Sequence, residues 1–159
     1  MKRGKLGAFI AILMLALTGC PHTPEPPVSA TTRPLDTTDR YSDQELRRWL
    51  TFDNAREYYN GDGLGENLNL LLLAGGHYSL TWNGCLGLYG AAAGKWRVEN
   101  RQLFLDPGEE KGSLAESPVR RLNIRIMGDR LILIEDRKLD WLQKYGVDQF
   151  GCFVAIREL

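Results

Sequence analysis

Tyr78, Leu80 and Trp82 alternate with Ser79 and Thr81 and run directly into Asn83-Gly84. A period of two places the three large side chains on one face of a strand, and Asn-Gly is a favoured pair for a tight hairpin turn. The same coupling of a short apolar or alternating run to a turn signal recurs along the chain. The run 68–73 precedes Gly75-Gly76, and the runs 95–98 and 102–105 flank Glu99-Asn100-Arg101. Leu122, Ile124 and Ile126 lead through Gly128-Asp129 into 131–134. The segment 85–89 is the expected return strand of the first hairpin, and 150–156 is a final strand placed to pair with an early one. About seven or eight short strands joined by tight turns predict a mainly β domain, an antiparallel barrel or sandwich.

Two short helices frame these strands. Ser42 and Glu45 have capping-box spacing, and Leu46, Trp49 and Leu50 follow at helical spacing. Near the other end, Asp136 is placed to cap a helix carrying Leu139, Trp141, Leu142 and Tyr145, with Gly146 to stop it. Between Asn60 and Asn67 the glycine-rich composition predicts a loop.

The N-terminus is of a different material. Lys2, Arg3 and Lys5 precede an uncharged apolar run at 6–17. Those 12 residues would span roughly 18 Å as a helix, short of the ~30 Å hydrocarbon core of a bilayer, so the run reads as a signal-peptide core. It ends in Leu17-Thr18-Gly19-Cys20, which resembles the lipobox of bacterial lipoproteins at all four positions. The resemblance implies cleavage before Cys20 and lipidation of that cysteine, whose several acyl chains would anchor the protein stably. Pro21, where inner-membrane lipoproteins carry aspartate, leans the expected location towards the outer membrane. Residues 20–40 hold Pro21, Pro24, Pro26, Pro27 and Pro34 among Thr, Ser and Ala, the composition of an extended tether. The expected organisation is therefore signal peptide 1–19, lipidated tether 20–40 and β domain 41–159. The whole chain balances 20 basic against 20 acidic residues. Cleavage removes three basic residues and no acid, leaving 17 against 20 and a net charge of about −3, unlike the basic excess of nucleic-acid binders.

The central stretch His77-Tyr78-Ser79, Trp82-Asn83-Gly84-Cys85-Leu86-Gly87, Tyr89-Gly90, Gly94-Lys95-Trp96 and Leu103-Phe104-Leu105 is similar to lipocalin-like small-barrel domains of bacterial envelope proteins. The resemblance covers about a third of the domain and implies a lipocalin-like barrel. Strict lipocalins carry Gly-x-Trp near the first strand, whereas here it follows three expected strands.

Chemistry-bearing residues are sparse. With Cys20 lipidated, Cys85 and Cys152 remain in an oxidising compartment, and a disulfide between them is the expectation. A pair of buried thiols is the competing reading, and the absence of Cys-x-x-Cys speaks against a redox pair. His77 and two separated cysteines are too few for a zinc site, and Asn60, Asp62 and Glu66 match a calcium loop poorly. No cofactor or metal is expected. No catalytic residue is assigned, because His77 is the sole histidine of the domain and its strand position faces it to solvent. Tyr78, Trp82, Tyr89 and Trp96 are expected to fill a barrel interior, or to line a pocket for a small apolar ligand. The functional expectation is a membrane-anchored envelope protein that binds a small apolar molecule or a protein partner, or supports envelope structure. The alternative is a hydrolase whose acids, such as Glu109-Glu110 and Glu135-Asp136, converge only in the fold.

Overall fold

A computed structural model describes residues 35–63, 65–147 and 151–156, with the backbone alone at Asp53. Cys20 and most of the tether lie outside these residues. Eight strands, β1 (Ala55–Gly61), β2 (Asn67–Leu73), β3 (His77–Gly84), β4 (Gly87–Glu99), β5 (Gln102–Gly112), β6 (Arg121–Met127), β7 (Arg130–Ile134) and β8 (Phe153–Ala155), form a closed antiparallel barrel. Each strand pairs with its sequence neighbour, and β8 closes the wall by pairing with both β7 and β1. Among the described residues the α-helices are α1 (Asp43–Leu50), α2 (Ser113–Glu116) and α3 (Leu139–Tyr145). Among the described residues no helix is long and apolar enough to cross a membrane.

The alternation in the sequence sets the two faces of the wall. Leu68, Leu70 and Leu72 on β2, Tyr78 and Leu80 on β3, Leu103 and Leu105 on β5, and Leu122, Ile124 and Ile126 on β6 are buried in one cluster inside the barrel. A fully buried leucine contributes about 1.5–3 kcal/mol. A second, smaller cluster lies outside the wall, where Ile132, Ile134 and Cys152 are covered by Leu142 of α3.

α1 closes the lower end of the barrel. Its capping box is formed: the Ser42 hydroxyl accepts from the Glu45 amide, and the Glu45 carboxylate accepts from the Ser42 amide. Leu46 and Leu50, one turn apart, are fully buried in the core, whereas Trp49 stays on the rim and packs against Tyr41 at 4.8 Å. Both ends of the helix are tied to the wall. The Asp43 carboxylate accepts from the amides of Asn100 and Arg101, each at 2.9 Å, in the β4–β5 turn where both residues have positive φ. At the other end, the carbonyls of Leu50 and Trp49 accept from Tyr58 and Arg56 of β1, partners that a helix C-terminus lacks within itself.

Four expectations change. Asp136 does not cap α3, which begins at Leu139 after a 3-10 turn at Asp136–Lys138 and has no side-chain cap bond. The first hairpin turns at Cys85-Leu86, not at Asn83-Gly84, because a bulge after Trp82 carries β3 two residues further. Gly84 is then needed for space, since a side chain there would meet the Tyr89 ring at 2.2 Å. The final strand is short, Phe153–Ala155, and β1 and α2 arise where no strand or helix was expected. The prediction is that Leu50→Ala lowers unfolding free energy by about 2–5 kcal/mol in urea titration. A loss below about 1 kcal/mol would show that α1 is not a plug.

Candidate functional site

Inside the barrel, the four aromatic candidates separate. Tyr78 (4% exposed) and Trp96 (3%) are core residues, and Trp82 is half-buried against the same cluster. Tyr89 (39%) points outward and lies over Gly84. At the lower end the polar tips are bonded: Trp96 Nε1 donates to the Leu73 carbonyl at 2.9 Å and Tyr58 donates to Leu50 at 3.1 Å. Burial pushes the Tyr58 hydroxyl to a higher pKa, against the opposing pull of Arg56. On β3, Tyr78 Oη and Trp82 Nε1 are buried without a hydrogen-bond partner among the described residues. Burial raises the Tyr78 pKa, and the charges of Glu110 and Asp106 raise it further while Arg120 opposes them.

Outside the wall, a groove of about 740 Å³ runs between α1 and the β7–β8 edge. Trp49, Phe52, Leu131, Val154 and Ala155 wall it, with Arg56, Asp129 and Arg130 as its charged members. Phe52 is 64% exposed, and the Arg56 guanidinium lies 5.8 Å from its ring while donating to Trp49. The volume and the mixture of apolar walls with a few charges fall in the range of small-molecule sites. A smaller cleft, about 320 Å³, separates α3 from the Asp36–Arg125 ion pair.

The expected disulfide is not formed. Among the described residues no disulfide occurs: Cys85 is exposed in the β3–β4 turn and Cys152 is buried under α3. β8 neighbours β1 and β7, so three ladder steps of about 4.8 Å separate it from β3 along the wall. A disulfide needs Cα atoms within about 7 Å. Redox pairing fails on the same geometry.

The carboxylates of the hydrolase alternative each hold a basic partner. Glu109 pairs with Lys111, Glu110 with Arg120, Glu135 with Arg137, and Asp136 with Arg121. Hydrogen bonds from these partners lower the pKa of Glu109 and Glu110. Asp136 is lowered first by Asn123, which donates at 2.6 Å, and then by Arg121. A glycosidase needs one carboxyl raised as its general acid; these shifts run the other way. His77 is exposed on the outer face. In the β1–β2 loop, Asp62 accepts from the amides of Gly65 and Glu66, and Asn67 from that of Gly63, which ties their oxygens to the backbone of a tight turn. Among the described residues no cluster of metal-ligating side chains occurs.

Comparison with protein-family models finds no match, and comparison with curated proteins finds none either.

Two outcomes follow. After denaturation without reductant, Cys20→Ser protein should titrate two thiols; zero would restore the bridge. Because the folded Asp136 pKa is lowered, its contribution is present above the ordinary aspartate value of about 3.9 and is lost as pH falls through the folded value. Asp136→Asn should therefore be less stable than the parent near pH 6, with the gap closing below about pH 3.9 in thermal melts. A gap independent of pH would refute the charge assignment.

Proposed function

We propose that the chain is a lipid-anchored protein of the bacterial cell envelope, held by Cys20 to the outer membrane, whose barrel binds a small apolar molecule in the groove beside α1. The observation that carries the binding reading is that groove: about 740 Å³ of apolar and aromatic wall on the outside of a barrel whose lower lumen is filled by its own side chains. Eight up-and-down strands are also the lipocalin number, which supports the lipocalin-like assignment. A lipocalin's ligand enters the lumen, whereas here Leu46 and Leu50 occupy the lower mouth. The groove takes over the role because Arg56 is already fixed by Trp49, so the Phe52 side of the wall is organised before a ligand arrives. The lipobox-like Leu17-Thr18-Gly19-Cys20 and the proline-rich tether support the membrane anchor.

Two measurements test the two halves separately. Metabolic labelling with a fatty acid should mark the parent and not Cys20→Ser, and the variant should move from the membrane to the soluble fraction. Retention of label would refute the anchor. Titration with the apolar fluorophore 1-N-phenylnaphthylamine should saturate, and Phe52→Asp should weaken it at least tenfold. Phe52 is exposed, so its replacement leaves the core intact; unchanged affinity would refute the groove.

A further inference from the structure

The chain enters the barrel at one rim, and that rim is apolar along one side. Beside β6, the Thr37 amide donates to the Ile126 carbonyl at 2.9 Å and Asp36 forms a β-bridge with Met127. Leu35, the residue before them, is 69% exposed. The next strands round the wall are β7, β8, β1 and β2. Ile156 follows β8, its amide donating to the Glu57 carbonyl of β1. Trp49 and Phe52 lie just before β1, and Leu73 ends β2 opposite Ala55. All four are exposed, Phe52 most of all. The rest of the rim is polar: His77 opens β3, and Glu99, Asn100 and Arg101 form the β4–β5 turn.

On the anchor reading above, on which this inference rests, Cys20 is held in a bilayer. The 14 residues between Cys20 and Leu35 span at most about 50 Å. Their point of entry, at one end of the apolar arc, is the part of the barrel tied closest to the anchor. The composition of the arc agrees. Tryptophan is favoured where hydrocarbon meets headgroups, and arginine is drawn to anionic headgroups. Arg56 and Arg130 outnumber Asp129 among the charged residues lining the groove in the middle of the arc. The far end of the barrel is a poorer match. Its exposed apolar residues, Leu86, Leu88 and Tyr89, are confined to the β3–β4 turn and the start of β4. The β1–β2 loop beside that turn carries Asp62 and Glu66.

We propose that the barrel docks on the phospholipid bilayer that holds its anchor, through the arc running from Leu35 to Leu73. Ile156, Phe52 and Trp49 enter the headgroup region between them, and the polar side of the rim stays in water. An apolar face backed by a charged one is the arrangement that binds in the plane of a membrane interface. The groove lies within the arc and opens towards the bilayer.

Spin labelling of the acylated protein in vesicles of phosphatidylethanolamine and phosphatidylglycerol tests the docking. The background is Cys85→Ser; Cys152 is buried and acylated Cys20 has no thiol. Nitroxides at Leu35→Cys, Leu73→Cys and Ile156→Cys should be relaxed more by oxygen, which concentrates in the bilayer, than by an aqueous nickel chelate. Labels at His77→Cys and Leu86→Cys should show the reverse. With Leu35→Glu and Leu73→Glu together, the Ile156→Cys label should lose its preference for oxygen while the lipid keeps the protein on the vesicles. Both leucines are exposed and outside the groove lining, so core and groove are untouched. Aqueous labels at all three rim positions, bilayer exposure at Leu86→Cys instead, or an unchanged Ile156→Cys label in the double variant would each overturn the proposal. Mass spectrometry showing Cys20 without acyl chains would refute the anchor alone. The same labels on Cys20→Ser protein, with vesicles added, then decide the docking by the same criteria.

Discussion

The bonds that hold α1 against the barrel govern the rest of the structure. Asp43 fixes its first turn to the β4–β5 turn, while Tyr58 and Arg56 of β1 receive its last carbonyls. Without those contacts Leu46 and Leu50 would have no defined seat, and the lower lumen would be open to water. With them, the helix is both plug and rim. The face of α1 that enters the lumen makes the floor of the core, and the residues just beyond, Trp49 and Phe52, project sideways and create the outer groove. The filled lower lumen and the external concavity are thus two results of one docking event.

Small residues on β4 mark the part of the wall beside β3. Gly90, Ala92 and Gly94 face β3 where large residues would be expected in a barrel packed throughout. At Gly94 a side chain would collide with the β5 backbone at 2.2 Å from the Asp106 carbonyl, because a bulge brings the two strands together there. At Gly90 the space is taken by Leu114 of α2, which is itself fully buried. Backbone closeness has replaced side-chain packing along this strand. Tyr78 and Trp82 on β3 therefore have glycines as their β4 neighbours.

Much of this was legible from residue order, for identifiable reasons. Strands β2, β3 and β6 announced themselves because apolar residues recur at the period of their buried face, β7 because Leu131 to Ile134 is a continuous apolar run, and the capping box at Ser42 is a local signal that tertiary structure had no cause to override. β1 was hidden because Arg56 and Asn60 share a face with Tyr58, so no apolar period marks the strand, and only the fold places Arg56 in the groove and buries Asn60. The Asn83-Gly84 turn shows a local preference yielding to a ladder: the bulge after Trp82 lets β3 and β4 continue pairing to Gly84 and Gly87. The disulfide expectation rested on parity of cysteines and compartment, and parity carries no information about which walls of a barrel the two residues occupy. The groove could not have been read from sequence, since it draws on α1, β1, β7 and β8.

The barrel wall is also uneven, and one of its thin places borders the groove. β4 and β5 pair continuously from Glu99–Gln102 to Gly90–Gly112 apart from one bulge, whereas β8 touches each neighbour through two residue pairs and β5 meets β6 through three. Few ladder bonds mean a low free energy of local opening. The first thin seam is reinforced from outside by α3 and borders the groove. The second is spanned by the Glu110–Arg120 pair and by α2, whose Leu114 fills the space beside Gly90. An exposed ion pair adds about 0–1 kcal/mol, far less than a run of backbone bonds behind packed leucines. A closed barrel plugged below by a bonded helix is thus held at its second seam by three ladder pairs, the Leu105–Arg120 backbone bond, the ion pair and α2 rather than by a long ladder.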